Sequence, residues 1–204
     1  MLTAALTGGI ATGKSYVRAR LERLGAACLD ADQIAHGIMA PGTEAAQAIA
    51  ERFGSAVLAP DGSVNRSVLG PLVFRDDEAR RSLEAIVHPA VWRNVHVALR
   101  ALKIAENPRV AIVEIPLVYE TGHAAEFDRI IATICAPPVQ IDRLVERGLS
   151  EDEAHRRVAA QMPSEEKARL ADYVVDTGQT FEETDRQVDA VWRSLVQAST
   201  SAVP

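Results

Sequence analysis

Residues Gly8-Gly9-Ile10-Ala11-Thr12-Gly13-Lys14-Ser15 satisfy the pattern G-x-x-x-x-G-K-[ST] at every position, and no other feature constrains the fold of this chain as strongly. The pattern works only where a strand runs into a tight glycine loop and the chain leaves it as a helix whose positive end faces the bound anion. Glycines let the backbone close around phosphate oxygens and present N–H groups where a Cβ would collide. Lys14 then supplies a point charge for β/γ-phosphates, and Ser15 offers a hydroxyl to a magnesium ion. The flanks meet the requirement. Residues 2–6 are a short apolar run, Val17, Leu21 and Leu24 recur at helical spacing, and Gly25 stands where a helix C′ residue belongs. A nucleoside triphosphate, with magnesium, is therefore the expected ligand.

Four further apolar runs, at 26–29, 110–115, 130–135 and 173–175, are short, continuous and separated by helical patterns. That rhythm predicts an α/β fold, a parallel sheet covered by helices on both faces. Between the second and third runs the signals are mostly helical, including 45–53 closed by Gly54 and 90–105 opened by Pro89 at a position suited to N1. This stretch reads as a helical insertion. Ser150-Glu151-Asp152-Glu153 and Thr180-Phe181-Glu182-Glu183 fit the capping box, predicting helices to about 161 and 197, with a frayed tail over 199–204.

With 204 residues, 48% of them apolar, the chain can build one well-buried core with insertions but not two full domains. A net charge of −6 speaks against a nucleic-acid-coating surface and for a local basic pocket that takes a small anion. No apolar run approaches the ~18 residues of a membrane span, and the start lacks a secretory leader's pattern, so a soluble, cytoplasmic protein is expected. Cys28 and Cys135 lie in apolar runs and read as packing thiols rather than a disulfide or a nucleophile.

Open α/β sheets bind ligands at the carboxyl ends of their strands. There this chain carries acids: Asp30 and Asp32 after the second run, and Glu114 and Glu120 in and after the third. Beside a triphosphate they must hold metal or take a proton. Asp32 is the candidate base for an attacking hydroxyl, while Asp30 either helps to hold hydrated magnesium or caps the next helix; the alternative is that both are caps. Arg143 and Arg147, four apart, share a helix face that either closes over phosphates or is solvated beside Asp142 and Glu146. His88, before Pro89, reads first as a cap or core residue, and Trp92 and Trp192 as core or groove residues.

Taken in order, several segments resemble the dephospho-CoA kinase family. They are Ala5-Leu6-Thr7-Gly8-Gly9-Ile10 leading into Gly13-Lys14-Ser15, Leu29-Asp30-Ala31-Asp32, His88-Pro89, Ile115-Pro116-Leu117-Val118-Tyr119-Glu120, Ala160-Gln161-Met162-Pro163 and Ala171-Asp172-Tyr173-Val174-Val175-Asp176. The resemblance implies a three-layer P-loop NTPase fold with a five-stranded parallel sheet, a helical substrate-binding insertion and a helical lid. It places the nucleotide-binding core at 1–35, 105–138 and 168–204, the insertion at 36–104 and the lid at 139–167. The implied reaction is ATP-dependent phosphorylation of the ribose 3′-hydroxyl of dephospho-CoA, by a monomer or weak homo-oligomer.

By the same resemblance Asp32 is the base, and Lys14 and Arg143 act on the transferred phosphate. Gly8, Ala11, Thr12, Gly13, Ser15, Tyr16 and Arg147 contact the nucleotide, and His88, Leu117 and Glu120 lie at the acceptor. Ser15 holds magnesium, and Asp30 either contributes through water or caps the helix. The chain departs from the family's usual pattern at Ala11, where glycine is usual, at Tyr16, where threonine is usual, and in a lid one residue short around Arg147. Alanine at 11 is expected to avoid positive φ, and Tyr16 to alter contacts near the α-phosphate. The rivals are a kinase of another small metabolite, of nucleoside monophosphate or shikimate type, and a nucleotide switch. The switch lacks its Asn-Lys-x-Asp base reader in this chain.

Overall fold

The computed structural model describes residues 1–201. Five strands form, β1 (Leu2–Gly8), β2 (Ala27–Asp30), β3 (Val110–Glu114), β4 (Arg129–Ile134) and β5 (Tyr173–Asp176), within a residue or two of the five apolar runs. They make one sheet in the order β2-β3-β1-β4-β5, with parallel pairings of β1 to β3, β1 to β4 and β4 to β5. The central strand β1 is buried along nearly its whole length, as its largely apolar sequence allows.

Alternation along β1 divides the core. Leu2, Ala4 and Leu6 pack with Val17 and Leu21 of α1 (Lys14–Arg23) and with Val188, Val191 and Leu195 of α9 (Phe181–Ser201). The connection from β4 to β5 crosses the sheet in the direction opposite to that from β1 to β2. Right-handed crossovers therefore set its helices on the other face. These are α6 (Pro137–Glu146), α7 (Glu151–Ala159) and α8 (Ser164–Leu170), occupying the stretch expected to form the lid.

Helix ends follow local chemistry. After α1 the Gly25 N–H bonds the Glu22 carbonyl and the Ala26 N–H the Leu21 carbonyl, both at 3.0 Å, the paired bonds of a Schellman stop. Ser150 caps α7 and Thr180 caps α9, accepting from the N–H groups of Glu153 and Glu183. Two expected ends shift. Helix α7 stops at Ala159, leaving Gln161 in the turn to α8, and α9 runs on to Ser201, so residues 199–201 are helical; the rest of the expected frayed tail, 202–204, lies outside the described residues.

The chain divides into two compact units, Met1–Leu29 with Leu102–Pro204, and Asp30–Ala101. The sequence reading opens its insertion at 36 and closes it at 104. The second unit is built from α2 (Ala31–Gly37), α3 (Glu44–Phe53), α4 (Arg66–Arg75) and most of α5 (Asp77–Ala105). Its core gathers Ala46, Ile49, Val57, Val64 and Leu69, beside a cluster of Ile38, Ala45 and Ala90. One expectation fails here. Pro89 does not open a helix but sits inside α5, which starts twelve residues earlier, where Asp76 accepts from the N–H groups of Glu78 and Ala79. Proline removes only the bond to the Ala85 carbonyl, and burial of Ala90, Trp92 and Val95 holds the helix together across that gap. Among the described residues no helix is long and apolar enough to cross a membrane.

Candidate active site

The glycine loop joins β1 to α1 as its pattern requires. Gly13, the N-cap of α1, has φ 81°, a left-handed value that suits only glycine at low cost. The Lys14 ammonium folds over the loop and donates to the carbonyls of Gly8 at 3.0 Å and Gly9 at 2.9 Å. Thr12 is buried, its hydroxyl donating to the Gly9 carbonyl at 2.8 Å and bonded to the Thr133 hydroxyl at 2.7 Å. Ser15 is exposed in the first turn of α1, open to a ligand.

Ala11 corrects the sequence expectation: its φ is 60°, inside the left-handed region it was expected to avoid. Its methyl group is buried with Ile141, Leu144 and Ala154, which explains the tolerance. Left-handed backbone costs an alanine about 1–2 kcal/mol. Burial of the methyl returns about 0.8 kcal/mol and the lower unfolded-state entropy relative to glycine about 0.5–1 kcal/mol. Ala11→Gly is therefore expected to change unfolding stability by less than about 1 kcal/mol in either direction, read from denaturant midpoints. A loss of several kcal/mol would mean that the methyl contacts dominate.

Arg143 grips the loop from behind. Its guanidinium donates to the Ala11 carbonyl and the Thr177 hydroxyl, both at 3.0 Å, and to the Thr177 carbonyl at 2.6 Å, while the Thr177 hydroxyl also donates to the Thr12 carbonyl at 2.9 Å. Arg147 is not beside it on a helix face. It is the exposed C-cap of α6, because the helix ends one residue earlier. Tyr16 turns to α9, donating its hydroxyl to Asp185 at 2.9 Å with its ring 4.9 Å from that of Phe181. The bond to Asp185 raises the Tyr16 pKa above its ordinary value.

After β3, Leu117 is exposed and Glu120 faces protein partners. Glu120 accepts from the Met162 N–H at 3.3 Å and pairs at 2.8 Å with Lys167, whose side chain is wholly buried. Glu114 is buried and pairs with Arg18 at 2.8 Å. Burial pushes the Cys28 thiol up to about 12 and raises that of Cys135, so both are neutral packing groups.

In the second unit Asp30 is the N-cap of α2, accepting from the N–H groups of Asp32 at 2.9 Å and Gln33 at 3.1 Å. Asp32 stands exposed in the first turn, and the turn at Ala31 separates the two carboxylates' roles. Asp32 lines a cavity of about 470 Å³ whose wall includes Arg66 and the apolar side chains of Met39, Leu69, Val73 and Leu83. Arg66 makes no ion pair among the described residues, whereas Arg52, Arg80 and Arg93 of the same unit do. His88 is half-buried inside α5 and does not line this cavity.

Sequence reasoning missed the polar residues that brace the loop: Gln140, Thr177 and Lys167. Gln140 gives one readable signal, a polar side chain adjacent to Ile141 and Leu144 on the apolar face of α6. Lys167 gives none, for it stands among charged neighbours in Glu165-Glu166-Lys167.

A family model described as Dephospho-CoA kinase matches residues 2–183. The dephospho-CoA kinase of Geobacter metallireducens is 44% identical over 198 residues, 97% of this chain and 98% of that one. Among solved structures, TT1252 from Thermus thermophilus is 32% identical with a TM-score of 0.79, covering 95% of this chain and 97% of its own. Dephospho-CoA kinase from Campylobacter jejuni is 26% identical with a TM-score of 0.73, covering 96% and 98%. The glycine loop with its lysine, the five-stranded sheet and near-complete alignment agree, and this chain belongs to the dephospho-CoA kinase family.

Proposed function

We propose that this protein transfers the γ-phosphate of ATP to the ribose 3′-hydroxyl of dephospho-CoA, giving coenzyme A and ADP. The observation that carries the reading is the cavity in the second unit, where a carboxylate and an unpaired guanidinium share an apolar wall. An acceptor with a hydroxyl to deprotonate, a diphosphate and a long, weakly polar arm matches that chemistry. Asp32 accepts the hydroxyl proton as the oxygen attacks the γ-phosphorus, and the bond to the β–γ bridging oxygen breaks. Lys14, now over the Gly8 and Gly9 carbonyls, moves its charge onto the phosphates and stabilises the transition state. Arg143 holds the loop and adds positive charge at its base, while Arg147, exposed on the lid, is free to meet the nucleotide.

Among the described residues no three acidic, histidine or cysteine side chains gather to hold a metal. That fits magnesium, which keeps most of its waters and takes few protein ligands besides phosphate oxygens. Ser15 would supply the protein ligand, and the ion would neutralise charge on the β/γ-oxygens. Leu117 and His88 are assigned to the acceptor side. The acidic net charge and two free thiols favour a cytoplasmic protein without nucleic-acid partners, acting as a monomer or weak homo-oligomer.

Purified protein incubated with ATP, magnesium and either dephospho-CoA, a nucleoside monophosphate or shikimate is expected to release ADP only with the first. Strong turnover of a nucleoside monophosphate and none of dephospho-CoA would overturn the assignment. Arg66→Ala is expected to raise KM for dephospho-CoA about tenfold, with kcat and KM for ATP within about twofold, the loss of one charge-assisted phosphate contact. An unchanged KM would remove Arg66 from the acceptor site.

A further inference from the structure

Two glutamines hold the two peptide groups that flank Ile10 in the glycine loop. The Gln140 side-chain amide donates to the Ile10 carbonyl at 2.7 Å, and the Gln161 side-chain carbonyl accepts from the Ile10 N–H at 2.8 Å. Neighbouring Gly9 leaves no slack. A Cβ there would lie 2.8 Å from the Ser164 hydroxyl and 2.9 Å from the Gln140 amide. Gln140 and Ser164 are both buried, so these contacts are fixed by packing rather than by solvent-exposed chance.

Gln161 is in turn anchored through its chain neighbour. The Met162 N–H donates to Glu120, Glu120 pairs with Lys167 at 2.8 Å, and the Lys167 ammonium donates to the Pro116 carbonyl at 2.5 Å. That same carbonyl accepts from the Thr7 hydroxyl at 3.0 Å, and Thr7 is the residue before the loop. The bonds thus close a circuit that leaves the loop at Thr7 and returns to it at Ile10. Its pivot is a lysine with no exposed surface, kept buried by a carboxylate and a carbonyl rather than by solvent.

We propose that Lys167 and Gln161 are positioning residues for phosphoryl transfer: the buried ion pair fixes the turn at 161–163, and the turn fixes the Gly9–Ile10 peptide and hence the shape of the phosphate loop. The segment 116–120, on which Leu117 is assigned to the acceptor, belongs to the same circuit. The loop's geometry therefore depends on a lysine connected to it only through intervening groups. The proposal rests on the kinase reading for its rate measurements alone.

The test is a double-mutant cycle on the full-length protein, following kcat, both KM values and ADP affinity by titration calorimetry. Lys167→Met and Gln161→Met are each expected to lower kcat about tenfold with KM for dephospho-CoA within about twofold, because a displaced loop weakens contacts made in the transition state. The double variant is expected to be no worse than the poorer single, since both changes interrupt one circuit; a multiplied loss of about a hundredfold overturns the proposal. Hydrogen-bond polarity supplies a second arm that does not need Lys167→Met to fold. Gln140 must donate and Gln161 must accept, so Gln140→Glu is expected to lose as much kcat as Gln140→Met, whereas Gln161→Glu recovers most of what Gln161→Met loses. Equal behaviour of the two glutamates overturns the proposal. Wild-type protein that fails to phosphorylate dephospho-CoA sinks the kinase reading instead. In that event ADP affinity decides the circuit, weakened by a common factor that does not multiply in the double variant if the circuit holds and by multiplying factors if it does not.

Discussion

Asp32→Asn is expected to cut turnover by about 10²–10⁴-fold, the range for loss of a positioned general base. Asparagine keeps the size and the helix position but cannot accept the hydroxyl proton at neutral pH. The helix itself should survive, because the cap that starts α2 is Asp30, whose carboxylate already holds the N–H groups of residues 32 and 33. KM for ATP should stay within about twofold, since the change removes no group assigned to the donor phosphates. Thermal unfolding and initial-rate kinetics on the same preparation separate the two roles. Near-wild-type turnover would make Asp32 a surface carboxylate at a helix start and would require another base.

Lys14→Ala is expected to lower kcat by at least about 10²–10³-fold, the cost of removing one preorganised cation or donor from developing charge. Its ammonium sits 2.9–3.0 Å from two loop carbonyls, so in the absence of phosphate it also offsets the negative ends of those peptide groups. Loss of the side chain therefore removes a brace of the empty loop as well as a cation of the loaded one, and ADP affinity should fall together with kcat. A variant that binds ADP normally but does not turn over would confine Lys14 to the transition state. One that retains turnover would contradict the phosphate-loop assignment itself.

The glycine loop between β1 and α1 was legible because its pattern is local. Glycine spacing, a lysine and a hydroxyl within eight residues specify a loop whose geometry depends mainly on backbone conformation, and the five apolar runs became the five strands. Local rules misled where packing could override them. Pro89 looked like a helix start because proline lacks an N–H, yet one missing bond in a 29-residue helix is outweighed by the burial of Ala90, Trp92 and Val95. Ala11 looked confined to negative φ, yet its buried methyl compensates for the strain.

What brings Gln140, Gln161, Glu120 and Lys167 together is not local at all. Each hydrogen bond of that circuit joins residues well over a hundred positions apart or crosses from the segment after β3 to α8 or the turn before it. No periodicity or spacing encodes such contacts, since they depend on where the sheet order sets the ends of β1 and β3 and on which face α6 and α8 cover. The sequence by itself determined the phosphate loop, the parallel sheet and the acidic candidate at Asp32, because each follows from residue types at short range. Only the tertiary structure decided which polar side chains hold the loop in shape. Burial leaves a charge such as Lys167 stable only where distant carboxylate and carbonyl groups converge on it.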